Sequence, residues 1–390
     1  MPCLLALALH VFPARAMSTN ATCAHAGKEC RLEETGEASL LQHHDPDRAS
    51  LGPDSKGYFQ ECQIQADNLT FSCLCAGPFA ASAKRGNVVL LHGFPFRAAM
   101  FTDLMKQLAT KGFKSVACDQ RGYSPGAAPD DVDAYAYGKL RQDVFAVADA
   151  LRFRKFHLVG HDHGAVLGWF CLASKEGKKR VKTFSALSIP HNDAFSKGLR
   201  GPDADELQQA ASQYFPIFVL EGAASLKNEL LFKALGQPAG FASAEDFQKA
   251  LWWYNGTFST GVLSLPPWMS YEQLVALNMT RVANLRAVFG GEPDSGTPQE
   301  KFVGKVRMPV LYVCGSNDTQ ILCNRPYALK TQDYCKCGYS YLEASCGHSV
   351  LSASDCTGPE EVQKVIDQII DTISRRKRET AETKREFCHF

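Results

Sequence analysis

The residues of this chain best placed for chemistry are a carboxylate between two glycines, and an acid and a histidine that follow it. In Gly160-His161-Asp162-His163-Gly164 an apolar strand pattern runs directly into a helical one, so Asp162 stands at a tight strand-to-helix turn. Such a turn strains its central residue and crowds its neighbours, which is why glycine is needed two positions to either side. A helix N-terminus beneath Asp162 would keep its carboxylate ionised through the dipole and free N–H groups. An ordinary helix N-cap is the plain alternative, because Asp favours that position too. Two further groups decide against it. Asp318 ends Val313-Cys314-Gly315-Ser316-Asn317-Asp318, just past another apolar run, and His348 follows Ser345-Cys346-Gly347, past a third. A carboxylate can attack an electrophilic carbon to form an ester, and a histidine held by an acid can then activate water against that ester.

Positioning these groups requires a regular frame, and the sequence supplies one. From Tyr58, a strand, a turn at Asp67-Asn68 and a strand through Leu69-Thr70-Phe71 read as a hairpin. Strands at Asn87–Leu91, Ser115–Cys118, Phe156–Val159 and Val181–Ile189 then alternate with helical patterns at Arg97–Lys111, Tyr137–Leu151 and Gly164–Ser174. That rhythm means right-handed crossovers and a parallel sheet. It stops after Pro190-His191 and resumes at Met308–Val313, with a strand at Ser340–Glu343 and an amphipathic helix over Pro359–Ser374. The block between is helical and rich in aromatic and aliphatic residues (Trp252, Trp253, Phe258, Leu263, Leu265, Trp268), and reads as a lid over the C-terminal edge of the sheet. Expected boundaries are a signal peptide over 1–16, a linker or weakly ordered arm over 17–52, core over 53–190, a helical cap over 191–300, core over 301–376, and a charged tail over 377–390.

Composition narrows the setting. The 390 residues are 45% hydrophobic and 21% charged, as in a globular protein, and a net charge of +1 argues against nucleic acid as a partner. No apolar run after the N-terminus is long enough to span a membrane. Leu4 to Phe12 followed by Ala14-Arg15-Ala16 has the form of a cleaved secretory signal, although no Lys or Arg precedes the apolar run. Five Asn-x-Thr sequons (Asn20, Asn68, Asn255, Asn278, Asn317) and fifteen cysteines agree with secretion. A glycan at Asn255 or Asn317 would collide with the expected cleft, so both are expected unmodified even where Asn20 and Asn68 carry sugars. Cys118, Cys171 and Cys314 fall inside predicted elements and read as buried free thiols. Cys323, Cys335, Cys337, Cys346 and Cys356 crowd the segments around Asp318 and His348, where disulfides stapling loops are expected. No paired Cys-x-x-Cys unit suggests zinc.

His92-Gly93-Phe94-Pro95, Asp119-Gln120-Arg121-Gly122-Tyr123-Ser124, the Asp162 turn, Gly315-Ser316-Asn317-Asp318 and Gly347-His348 together resemble the epoxide hydrolase and haloalkane dehalogenase branch of the α/β-hydrolases. The resemblance covers about residues 58 to 375. It implies an α/β-hydrolase fold, a mostly parallel sheet with flanking helices and an inserted helical cap. It also implies Asp162 as nucleophile, Asp318 and His348 as acid and base, and oxyanion donors in the Phe94 and His163 amides. Trp253-Tyr254-Asn255 resembles the motif of a lid tyrosine that protonates an epoxide oxygen, so Tyr254 is the expected donor, with core packing its alternative. Ile217 occupies the position matching the partner tyrosine, and Tyr214 lies about one helical turn earlier. Tyr214 and Trp253 are the expected substrate-binding residues. Neither Trp nor Arg follows the nucleophile, as dehalogenase types prefer, and the role of the His163 side chain is open. The implied reaction is epoxide opening to a diol, with a small apolar substrate, water and no cofactor. The rivals are a dehalogenase with an unusual halide site and a non-catalytic protein that binds a small apolar ligand.

Overall fold

A computed structural model describes residues 59–78, 85–199, 204–212, 214, 218, 229–259 (side chains to 254) and 303–375. The expected signal peptide, arm and tail, the sequons at Asn20 and Asn278, the Asn255 side chain, and Phe258, Leu263, Leu265 and Trp268 lie outside the described side chains.

Eight strands form one sheet: β1 (Phe59–Ala66), β2 (Leu69–Ala76), β3 (Gly86–Leu91), β4 (Phe113–Cys118), β5 (Phe156–His161), β6 (Val181–Leu187), β7 (Val310–Gly315) and β8 (Tyr339–Ala344). Their spatial order is β1-β2-β4-β3-β5-β6-β7-β8. The β1–β2 hairpin is antiparallel and joins β4 antiparallel, while every pair from β4 to β8 is parallel. Helices cover both faces, which is what a buried parallel sheet requires. On β3, Val89 and Leu91 pack with α2 (Tyr137–Ala150) and α3 (His163–Ala173), whereas Val88 and Leu90 pack with α1 (Thr102–Thr110) and the C-terminal helix Pro359–Ser374. The period of two places alternate side chains in separate cores. The C-terminal helix starts with Pro359 and two glutamates in its first turn, favourable at a helix N-terminus. It buries Val362, Val365, Ile366, Ile369 and Ile373, an apolar stripe at helical spacing.

Between β6 and β7 the described residues contain helices and no strand. They include α4 (Asn192–Leu199), α5 (Glu206–Ala211) and α6 (Ala244–Ser259). The two roots of this insertion are fastened together. Asp193 accepts from the Val303 N–H (3.0 Å) and the Gly304 N–H (2.9 Å), and the His191 Nε2–H donates to the Gly304 carbonyl at 3.0 Å.

The cysteine reading needs correction. Cys118 and Cys314 are not free thiols: Cys73 bonds Cys118 and Cys314 bonds Cys323. Antiparallel pairing sets Cys73 directly opposite Cys118, and burial along one strand says nothing about what the next strand offers. Cys171 is a buried free thiol, as expected. Cys62–Cys75 closes the hairpin and Cys346–Cys356 closes the loop after β8. Among the described residues no helix is long and apolar enough to cross a membrane.

Candidate active site

β5 delivers Asp162 at its C-terminal end, and α3 starts on the next residue. Asp162 has φ 51° and ψ −123°, a left-handed conformation that costs a non-glycine residue on the order of 1–3 kcal/mol. The strain is tolerable because the surrounding chain leaves no alternative. A Cβ on Gly164 would lie 2.1 Å from the Leu91 carbonyl oxygen, and one on Gly93 would lie 2.4 Å from the Asp162 side chain. These close approaches let the loop after β3 meet the turn, so that the Phe94 N–H donates to Asp162 Oδ1 at 2.8 Å. The other oxygen, Oδ2, lies 3.2 Å from His348 Nε2, and His348 Nδ1 lies 2.7 Å from Asp318 Oδ2. Asp318 is itself oriented, because Oδ1 accepts from the Gln320 and Ile321 N–H groups at 2.8 and 3.0 Å. Asp162, Asp318 and His348 are therefore one hydrogen-bonded chain, and all three are buried.

Charge in this chain is strongly coupled. Burial alone would raise the Asp162 carboxyl, but the His348 hydrogen bond and neighbouring imidazoles hold it well below the usual carboxylate range. Burial opposes a charged His348, yet the Asp318 charge and the two carboxylate hydrogen bonds push it well above the usual imidazole value. Each group thus favours the charged form of the other.

The loop after β3 is braced by Asp119 to Ser124. His92 Nε2 accepts from the Gln120 N–H at 2.9 Å, so its proton resides on Nδ1 and donates to the Gly93 carbonyl, also at 2.9 Å. Burial lowers His92 to about 4, consistent with that neutral tautomer. Asp119 takes the Ala98 N–H and the Arg97 guanidinium, each at 2.8 Å. Arg121 makes a two-pronged contact with Asp143 at 2.7 and 2.6 Å.

Residues from α6 and from just beyond α5 close over the turn. The Tyr254 ring meets the His163 ring edge-on at 4.4 Å and the Phe94 ring at 5.4 Å, so it touches both the turn and the loop after β3. Tyr214 lies with its ring 6.5 Å from that of Tyr254. Burial raises both phenols well above their ordinary range, and the Asp162 charge adds to the effect. The structure thus brings Tyr214 beside Tyr254, although the sequence offers no match at Ile217. Trp253 is placed differently from its neighbour. Its indole N–H donates to the Arg121 carbonyl at 2.8 Å and its ring stacks on His92 at 5.9 Å, which makes it a wedge beneath the loop. His163 Nδ1 is 2.8 Å from the Tyr137 hydroxyl, a partner on α2 that no motif marks.

A family model described as "alpha/beta hydrolase fold" matches residues 86–252. Epoxide hydrolase 3 from Siraitia grosvenorii is 32% identical over 173 residues, 43% of this chain and 54% of that protein. This chain has the α/β-hydrolase fold and is similar in sequence to the epoxide hydrolases. Two solved structures share its fold. An epoxide hydrolase from metagenomes of hot environments matches with a TM-score of 0.60 at 21% identity, over 82% of this chain and 99% of that one. A mutant epoxide hydrolase from Bacillus megaterium, bound to a propane-1,2-diol product, matches with a TM-score of 0.52 at 20% identity, over 80% and 100%. In sequence, this chain spans about half the length, or less, of curated relatives it matches. Its strand-helix alternation and its Asp162 turn follow from the residues themselves. Sequence reasoning missed the Tyr137 contact to His163, and it missed His161 and Ser188, which both reach the His348 backbone.

Proposed function

We propose that this α/β-hydrolase opens an epoxide to a diol through an ester on Asp162. The observation that carries the reading is the division of labour between the two Asp162 oxygens: Oδ1 on the Phe94 N–H, Oδ2 on His348. Oδ2 attacks a ring carbon, the C–O ring bond breaks, and the epoxide oxygen takes a proton from Tyr254, with Tyr214 as second donor. Burial makes a lasting phenolate costly, so Tyr254 recovers a proton, and His348 is the acid in surplus nearby. Ester formation also removes the Asp162 charge that sustained the imidazolium. His348, now neutral and still held by Asp318, takes a proton from water, and the resulting hydroxide attacks the ester carbonyl. Oδ1 becomes the oxyanion, already facing the Phe94 N–H; His163, at the first position of α3, offers the second amide. On collapse the C–Oδ2 bond breaks, His348 gives the proton it took from water to the departing Oδ2 to release the diol, and the proton of the new Asp162 acid then passes to the neutral His348.

The substrate we propose is small and apolar, because Phe94, Phe218, Phe247 and Tyr254 pack together above Asp162. Secretion is part of the same proposal, supported by four disulfides among the described residues. Single turnover in heavy-oxygen water, with a panel of epoxides and haloalkanes, tests the mechanism. Label is expected in the Asp162 peptide with an epoxide substrate, and Asp162→Ala is expected to abolish it. Label that appears only with haloalkanes would make the protein a dehalogenase, and no label with any compound would remove the ester.

A further inference from the structure

We infer that His161 and Ser188 are positioning residues for His348, acting through its main-chain carbonyl; the inference rests on the ester reading above. That carbonyl accepts two hydrogen bonds, from His161 Nε2 at 3.0 Å and from Ser188 Oγ at 2.6 Å. A carbonyl oxygen can only accept, so His161 carries its proton on Nε2. Its Nδ1 is then a bare acceptor, buried and without a hydrogen-bond partner among the described residues. Leaving a buried polar atom unmet is unfavourable, and the ring is retained in that state while its other nitrogen holds the base.

The origin of the two donors gives the arrangement its meaning. His161 is the last residue of β5 and the one before Asp162. Ser188 follows β6 and has φ 69°, a left-handed conformation unusual for serine that sets the direction of its hydroxyl. The two strands are paired, with His161 opposite Leu187, and the Asp162 N–H donates to the Leu187 carbonyl at 3.1 Å. The Ser188 N–H in turn donates to the Val313 carbonyl at 2.8 Å. Nucleophile and base are thus referenced to the same pair of strand ends. The 3.2 Å separation of Asp162 Oδ2 and His348 Nε2 is fixed twice, once through side chains and once through the backbone. The second link persists when Asp162 is esterified and the direct side-chain contact is altered. It matters most in the hydrolytic half of the reaction, when His348 must hold water rather than the carboxylate.

Neither residue touches the reacting atoms, so their removal has a distinctive signature. His161→Leu and Ser188→Ala are expected to lower kcat roughly 10- to 100-fold, as a small misplacement of a base does, with KM falling or unchanged. Alkylation proceeds while hydrolysis stalls, so the Asp162 peptide should carry accumulated ester in rapid-quench mass spectrometry. His161→Gln, which keeps a donor near the same place, should recover much of the rate. Wild-type protein that forms no ester overturns the ester reading itself. Ester that forms in wild type, without accumulating in folded Ser188→Ala, overturns the positioning role alone. A His161→Gln variant no faster than folded His161→Leu does the same for His161.

Discussion

At the hairpin end of the sheet, Cys62–Cys75 and Cys73–Cys118 tie strand to strand; at the other end, Cys314–Cys323 and Cys346–Cys356 close short loops. Asp318 lies inside the first of those loops and His348 inside the second. Chain entropy does not distinguish Cys62–Cys75 from Cys346–Cys356. Closures of 13 residues (Cys62–Cys75) and 10 residues (Cys346–Cys356) each restrict the unfolded chain by about 3 kcal/mol. What differs is the cargo of the loop. A bond between strands adds stability to a register already set by the hydrogen-bond ladder, whereas a bond around one side chain also limits where that side chain can go.

The largest effect should come from the acid in the first loop. Asp318→Ala leaves His348 buried without its orienting carboxylate, and kcat is expected to fall about 10³- to 10⁴-fold. A loss below tenfold in steady-state assays would remove Asp318 from the proposed machinery.

Acid should strike the centre of the sheet rather than either end. Burial lowers His92 and His161 to about 4 and His157 and His191 to about 3, and these residues lie on or just after β3, β5 and β6. Between those values and 6.5 the unfolded chain binds protons that the folded chain does not, so stability declines as pH falls through that window. Each histidine contributes about 1.4 kcal/mol per pH unit. His348, raised in the fold, acts in the opposite sense: its contribution is complete below 6.5 and is lost as pH rises through its folded value. The lowered histidines, His163 among them, outnumber His348, so stability is expected to fall from pH 7.5 to 5.5, measurable as a lower urea midpoint. An unchanged midpoint would show that these rings are protonated in the fold.

The two disulfide ends are separated by the smaller effects. Cys346→Ser with Cys356→Ser should reduce kcat about tenfold, as expected for a loosened base, and lower Tm. Cys62→Ser with Cys75→Ser should lower Tm comparably and leave kcat within about twofold, since similar loop entropies are released far from the chemistry. Equal kcat losses in both pairs would erase the distinction between the two ends.

Much of this was legible in the residues because the signals were local. Alternating strand and helix patterns placed the strands within a few residues, and glycines around Asp162 marked a turn that only small neighbours permit. Asp318 and His348 stood out as candidates because each follows a strand directly. What failed to show were pairings across the sheet. Cys118 looked like a core thiol because strand burial was visible and the neighbouring strand was not, whereas Cys314 meets Cys323 in the loop after its own strand. The anchors at His161 and Ser188 depend on β5 and β6 lying side by side beneath the β8 loop, a fact of topology rather than of motif. Tyr214 near Tyr254 is similar: the spacing suggested a shared pocket, and only packing brings the rings together.

The clasp formed by His191 and Asp193 with Val303 and Gly304 has a consequence for how such a chain can change. With both roots held together, the sheet meets everything between them as a closed loop whose cost grows only with the logarithm of its length. Doubling that length adds about 0.6 kcal/mol. The clasp therefore acts as a socket. Segments of different size and composition can be exchanged above Asp162 with little strain on β6 or β7, so substrate preference can diversify while the charge chain beneath it stays as it is.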